Sequence, residues 1–254
     1  MFNRKVIYVV GNKFENFSKH EGVFTFSDFV NLVCNNKNGV KCHLLVLGQG
    51  LTEEEKNILK AIVVHSDIGY IQEATKPLAS RAISHKHKIE NIMISNPERV
   101  DYDDVFVSHL YLNDDCAEMS DHTTGQHIQG MVFTEAARQM MLAVAEKFIL
   151  KDNEKFNSYC ALIKVSSQFY QFGFPIETRV VHEVEMLSNE KPGRYKASTT
   201  TSFLQNDKII ATVDIDYLYN NKKVLEEREA LMAATVLEEN RKLKLGNIPQ
   251  LKVA

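Results

Sequence analysis

The chain has 254 residues, of which 44% are hydrophobic and 25% charged, with a formal net charge of −3. That length suits one large domain or two small ones and buries a core without covalent staples. The slight acidity gives no electrostatic case for nucleic acid or for an anionic membrane surface.

The N-terminal run "MFNRKVIYVVGNKF" is too short in apolar residues for a signal peptide. No apolar run reaches the roughly 20 residues a membrane span needs. A cytoplasmic protein with no membrane partner is therefore expected. "KVIYVV" (Lys5–Val10) is β-branched and stops at Gly11, so it reads as a buried strand. Thr25 and Asp28 have capping-box spacing ahead of a helical stripe of Phe26, Phe29, Val30 and Val33. "CHLLVLG" (Cys42–Gly48) is a second buried strand, and Thr52 and Glu55 repeat the capping-box spacing before a second helix. "IGYI" (Ile68–Ile71) reads as a third strand, completing a β-α-β-α-β layer over residues 1–75. Neither a dinucleotide nor a Walker fingerprint is present. Gly48 and Gly50, ahead of a helix, suit either a tight turn or a phosphate contact.

Residues 76–90 read as a linker. Pro77 breaks the pattern, and His85, Lys86, His87 and Lys88 suggest a solvated surface connection, with a metal or phosphate contact as the sharper alternative. Beyond Pro97 the pattern turns to antiparallel β. Asp104–Leu112 is a strand, and a long helix runs from about Gln129 to Leu150. Four strand patterns follow, from Ala161 and over Arg179–Leu187, Arg194–Leu204 and Lys208–Tyr219. In the last, Ile209, Ala211, Val213, Ile215 and Tyr217 fall on one face. Residues 221–254 hold a charged amphipathic helix and a tail, expected to lie on the body or on a partner subunit. Cys34, Cys42, Cys116 and Cys160 form no C-x-x-C pair and read as reduced thiols, with no metal site expected.

The long helix is apolar almost all round, yet it contains Glu135, Arg138 and Gln139, three and four residues apart. Polar groups on a buried helix carry a desolvation cost, which an internal Glu–Arg pair could offset or a function could justify. The entering stretch "DHTTGQHIQGM" adds Asp121, His122, His127, Gly130 and Met131. A helix N-terminus at Gly130 favours developing negative charge, and a histidine near a buried glutamate is a plausible acid–base pair.

This stretch resembles the signature of the A-factor biosynthesis (AfsA-like) hotdog family, the γ-butyrolactone synthases. Their pattern runs Asp-His, a spacer, His-Val-Pro-Gly-Met, then Glu-Ala-Ala-Arg-Gln. Asp121-His122, His127-Ile128, Gly130-Met131 and Glu135-Ala136-Ala137-Arg138-Gln139 match, and "SSQFYQFGFP" (Ser166–Pro175) resembles a hotdog strand. More distantly the layout is similar to β-hydroxyacyl-carrier-protein dehydratases. The resemblance implies an α+β hotdog domain over residues 91–220, a long helix wrapped by an antiparallel sheet. It also implies an acyl thioester substrate on acyl carrier protein or coenzyme A, with no bound cofactor. In the best-known members the acyl group goes to the hydroxyl of dihydroxyacetone phosphate. Glu135, Arg138, His127 and His122 are the implied catalytic groups, with Gly130, Met131, Gln139 and Asp121 lining the substrate. Gln129 stands where the family often has proline. Members of known activity carry two hotdog repeats, so a homodimer is expected here. Acyl transfer is the leading expectation. Dehydration, thioester hydrolysis and a non-catalytic acyl-binding module are the rivals.

Overall fold

The computed structural model describes residues 6–35, 40–66, 68–73, 76–100, 104–120, 124–155, 157–191 and 194–246. The N-terminal layer holds strands β1 (Val6–Val10), β2 (Val23–Thr25), β3 (Cys42–Leu47) and β4 (Ile68–Gln72) with helices α1 (Phe26–Asn35) and α2 (Glu53–Val64). The strands pair in parallel in the order β2-β1-β3-β4. β2 is additional to the sequence expectation, because three residues running straight into a helix show no strand periodicity. Ile7, Val9 and Leu45 of the strands meet Phe29 and Leu59 of the helices in one buried cluster. Both expected caps form. Thr25 Oγ1 accepts from the Asp28 N–H at 3.2 Å. At α2, Thr52 Oγ1 accepts from the Glu55 N–H while Glu55 Oε2 accepts from the Thr52 N–H, at 3.2 and 2.8 Å. Such a box satisfies donors that a helix start otherwise leaves open.

A short helix α3 (Arg81–Ser84) leads into the second half, which is a hotdog domain: β5 (Glu98–Arg99), β6 (Val105–His109), helix α4 (Gly130–Val144), then β7 (Ser158–Phe169), β8 (Arg179–Lys191), β9 (Arg194–Gln205) and β10 (Lys208–Asn221). The sheet is antiparallel, in the order β5-β6-β8-β9-β10-β7. α4 packs against β7 to β10, and its Phe133 ring sits 5.0 Å from that of Phe203 on β9. Burying a side chain of this size contributes roughly 1.5–3 kcal/mol, which is why the apolar helix sits inside the curl of the sheet. The helix continues past Val144 as one wide π turn, Ala145–Ile149.

Three expectations change. On β10, Ala211, Val213, Ile215 and Tyr217 do face the core, but Ile209 is 45% exposed. A register shift between Ile209 and Ala211 inserts one residue, so Ile210 turns inward in its place. Met131, expected within the apolar helix and against substrate, is 66% exposed. The final helix α5 (Lys222–Gly246) packs on β10 and β7 only near its start, where Leu225 is buried, and along the rest of it Leu231, Met232, Val236, Leu237 and Leu243 are exposed.

The two halves meet at the carboxyl ends of β1 and β3. Gln49 donates to the Leu110 carbonyl at 2.9 Å and accepts from the Leu112 N–H at 2.8 Å. A Cβ on Gly11 would stand 2.2 Å from the Gly50 carbonyl oxygen and 2.6 Å from Asp114 Oδ1. A Cβ on Gly48 would stand 2.4 Å from the Pro175 carbonyl oxygen. Of the two readings for Gly48 and Gly50, the tight turn fits the backbone, Gly50 taking φ 87°, and the second half of the chain packs closely on both glycines.

Candidate functional site

Glu135, Gln139, Leu142 and Glu146 recur at four, seven and eleven positions, so they form one stripe along α4 and its π extension. The α3 segment crosses this stripe. Ser80 caps α3, Ser84 bonds back to the Ser80 carbonyl at 2.9 Å, and His85 ends the turn in the left-handed region at φ 53°. This turn delivers His85 and Lys86 on to the stripe. Residues 76–90 are largely exposed, Arg81, Ala82, His85, His87 and Lys88 among them, but they also pack on the body: Ala79 and Ser84 are buried, and His85 and Lys86 contact the long helix.

Around Glu135 the contacts are dense. Arg138 Nε lies 2.8 Å from Oε2 and Arg138 Nη2 2.9 Å from Oε1, a two-pronged clamp. Lys86 Nζ stands 2.7 Å from Oε1, and Gln139 Nε2 donates to the same oxygen at 3.0 Å. Gln139 is itself locked: it donates to the Asn91 carbonyl at 2.9 Å and accepts the Met93 N–H at 2.9 Å. Glu118 adds a second carboxylate 3.6 Å from Lys86. Burial pushes the Glu135 carboxyl up, but the hydrogen bonds from Arg138 and Lys86 and the Arg138 charge outweigh it, and the net displacement is downward. Glu135 is held ionised, which suits an orienting group better than a group that must exchange a proton. The same hydrogen bond raises Arg138 further.

Arg138 also lines a cavity of about 260 Å³ with His85, Met141, Leu142, Ser158, Tyr159, Cys160 and Leu162. His85 in turn lines a second, cationic pocket of about 450 Å³ with Arg81, Ala82, Lys86 and His87. On the other side of its ring, His85 Nε2 stands 3.0 Å from Oε1 of Glu146, whose side chain is fully buried. An apolar-walled cavity and a cationic pocket thus have His85 as a common lining residue, and Arg138 lines the first of them.

The remaining expected residues are placed differently. Gly130 begins α4 with Gln129 as its cap, and the Phe169 ring covers it so closely that a Cβ would stand 2.9 Å from Cζ. His127 sits 3.2 Å from Thr124 Oγ1, with its ring 4.6 Å from that of Phe172. Asp121 and His122 lie outside the described residues. Among the described residues no group of three His, Cys, Asp or Glu side chains is placed to hold a metal ion, and no helix is long and apolar enough to cross a membrane. The sequence reading named His85 and Lys86 only as a surface cluster with a metal or phosphate contact as the alternative, and it missed Glu146 and Glu118. Only Glu146 carried a signal, as a charge at the eleventh position from Glu135 in an apolar helix.

The family model for the A-factor biosynthesis hotdog domain matches residues 71–219. This chain belongs to that family. The match covers the α3 segment as well as the sheet and long helix, so the turn bearing His85 and Lys86 falls within the family domain. A search of the curated proteins found no match. Among solved structures, the chain is similar to the dehydratase heterocomplex ApeI:P from Xenorhabdus doucetiae, with a TM-score of 0.45 and 13% identity over 58% of this chain and 93% of that one. It is similar to a mutant thioesterase from Pseudomonas aeruginosa, with a TM-score of 0.40 and 12% identity over 59% and 97% of the two chains. It is also similar to a phenylacetic acid degradation-related protein from Ralstonia eutropha described as a putative thioesterase, with a TM-score of 0.35 and 16% identity over 48% and 82%.

Proposed function

We propose that this member of the A-factor hotdog family is an enzyme of acyl thioesters that transfers the acyl group to an alcohol. The thioester is carried on coenzyme A or on acyl carrier protein. The observation that carries the reading is Arg138: Glu135 fixes its guanidinium, Arg138 lines the apolar cavity, and His85 lines both that cavity and the cationic pocket. The clamp uses two of the five guanidinium N–H groups. The others remain to hold a carbonyl oxygen as it gains charge, the largest single term in many acyl transfers. Met141, Leu142 and Leu162 supply apolar walls for the acyl chain. Arg81, Lys86 and His87 suit a phosphate on the carrier or on the accepting alcohol, which favours transfer to a phosphorylated alcohol over transfer to water.

Two copies are proposed to act together. β7 is a free sheet edge of 12 residues with Leu162, Ile163, Val165 and Phe169 exposed, and such an edge is a template for strand pairing. Light scattering at the mass of one chain would remove the dimer.

The activity is tested with β-ketoacyl- and β-hydroxyacyl-coenzyme A, with and without dihydroxyacetone phosphate, following products by mass. An ester should form only with the alcohol, and Arg138→Met should lower kcat/KM about 100-fold or more. Free acid formed equally with and without alcohol would assign hydrolysis instead, and loss of water from the β-hydroxyacyl group would assign dehydration. No turnover of any thioester would leave a non-catalytic acyl-binding module.

A further inference from the structure

We infer that His85, oriented by the buried carboxylate of Glu146, is the proton-transfer group of this site. The inference rests on the acyl-transfer reading and moves its acid–base chemistry from the loop histidines to the α3 turn.

Four observations meet on this residue. His85 has a left-handed backbone, φ 53° and ψ 38°, a conformation histidine enters more readily than most non-glycine residues, and it closes the short helix α3 there. The turn is closed around it by the Lys86 N–H on the Arg81 carbonyl at 3.2 Å and by Arg81 Nη1 on the His87 carbonyl at 3.3 Å. Its Nε2 faces Glu146 Oε1 at 3.0 Å. His85 is a lining residue both of the cavity holding Arg138 and of the cationic pocket.

Glu146 is the more costly member. A carboxylate removed from water carries a penalty of several kcal/mol, which an apolar side chain completing the helix stripe would avoid. The wide turn Ala145–Ile149, which ends the helix, sits at this residue. A carboxylate bonded to one imidazole nitrogen fixes the tautomer: with the proton on Nε2 toward Glu146, Nδ1 carries the lone pair. Glu135 cannot take this role, because its oxygens already receive Arg138, Lys86 and Gln139.

The step balances without a further reactant. Nδ1 of His85 takes the proton of the acceptor hydroxyl as the oxygen bonds to the thioester carbonyl carbon. The oxyanion gathers against Arg138. Its collapse breaks the carbon–sulfur bond, and His85 returns the proton to the departing thiolate. An ester and a free thiol result.

The test uses acetoacetyl-coenzyme A with dihydroxyacetone phosphate, following thiol release and ester mass. His85→Asn is the first variant, because asparagine tolerates the left-handed backbone; His85→Gln is the second, should the first fail to fold. Loss of a general base should lower kcat about 100- to 10,000-fold while the KM for the thioester stays within about twofold. Glu146 is a positioning residue. Glu146→Gln should lower kcat at least about 10-fold and displace the acidic limb of the pH–kcat profile toward lower pH, because the imidazolium loses its anionic partner, and Glu146→Asp should recover part of the rate. The groups around His85 that shape that profile are Arg81, Lys86, His87, Arg138, Glu146, Tyr159 and Cys160. If wild-type turnover depends on Arg138 but survives in both His85 variants, the assignment to His85 falls and the acyl-transfer reading stands. If Glu146→Gln lowers the melting temperature and leaves kcat and its pH profile unchanged, the pair is structural and the inference is overturned. If the wild-type protein turns over no thioester, both readings fall.

Discussion

Two partly buried carboxylates sit in different neighbourhoods of this chain, and their protons respond in opposite ways. Asp114 lies at the seam between the parallel layer and the hotdog domain, against Gly11 and Gly50. Its oxygen Oδ2 accepts the Lys13 N–H at 3.0 Å, while the Lys13 ammonium goes to the Asp114 and Met119 carbonyls. Burial dominates and pushes the Asp114 carboxyl up to about 6, with Lys13 only partly offsetting it. Glu135 is also taken from water, but two cations and an amide converge on it, and its carboxyl is held below the usual range. The seam tolerates a carboxylate for the sake of close packing. The α4 face is built around one. Desolvation is the largest cause in both places, and the number of charged donors decides the direction.

The comparison can be broken first at the seam itself. Gly11→Ala forces a methyl to within 2.2 Å of the Gly50 carbonyl oxygen, where backbone and not a flexible side chain must give way. Urea denaturation should show a loss of about 3 kcal/mol. A change below about 0.5 kcal/mol would mean that the two halves are not packed in this register.

The second test sets the two carboxylates against each other across pH. Glu135→Gln at pH 7 leaves Arg138 and Lys86 without their shared anion and should cost about 1–3 kcal/mol. A lowered carboxyl contributes stability that is present above the unfolded value of about 4.3 and is lost as pH falls through the folded one, so this cost should shrink toward pH 3. Asp114→Asn should do the reverse. A raised carboxyl opposes folding once ionised: the penalty is absent below the unfolded value of about 3.9, grows up to about 6 and is constant above it. Removing the charge should stabilise the protein at pH 7–8 by about 1 kcal/mol, allowing for solvent screening, and give no gain near pH 3.5. Parallel pH–stability curves for the two variants would show that neither neighbourhood controls its carboxylate as described.

Legibility from the sequence followed the range of the interactions. Strand β10 and helix α4 were readable because their periodicity is local, as were the caps at Thr25 and Thr52, set by residues three apart. Glu135, Arg138 and Gln139 could be recognised as one cluster because a helix brings such neighbours together whatever surrounds it. The bulge at Ile210 was not readable, because a single inserted residue changes the facing without changing composition. Nor was the covering of Gly130 by Phe169, residues 39 positions apart in the chain.

The sequence by itself determined that this chain is a hotdog protein of the A-factor family with a charged cluster on its long helix. Those facts reside in periodic spacing and in a contiguous motif. Only the tertiary structure decided what that cluster meets. Lys86 reaches Glu135 across 49 positions, and His85 reaches Glu146 across 61. A run reading His-Lys-His-Lys looks like a solvated connection until the left-handed turn at His85 lays it across α4. Pairing at such separations is fixed by the packing of one element on another, and no local pattern encodes it.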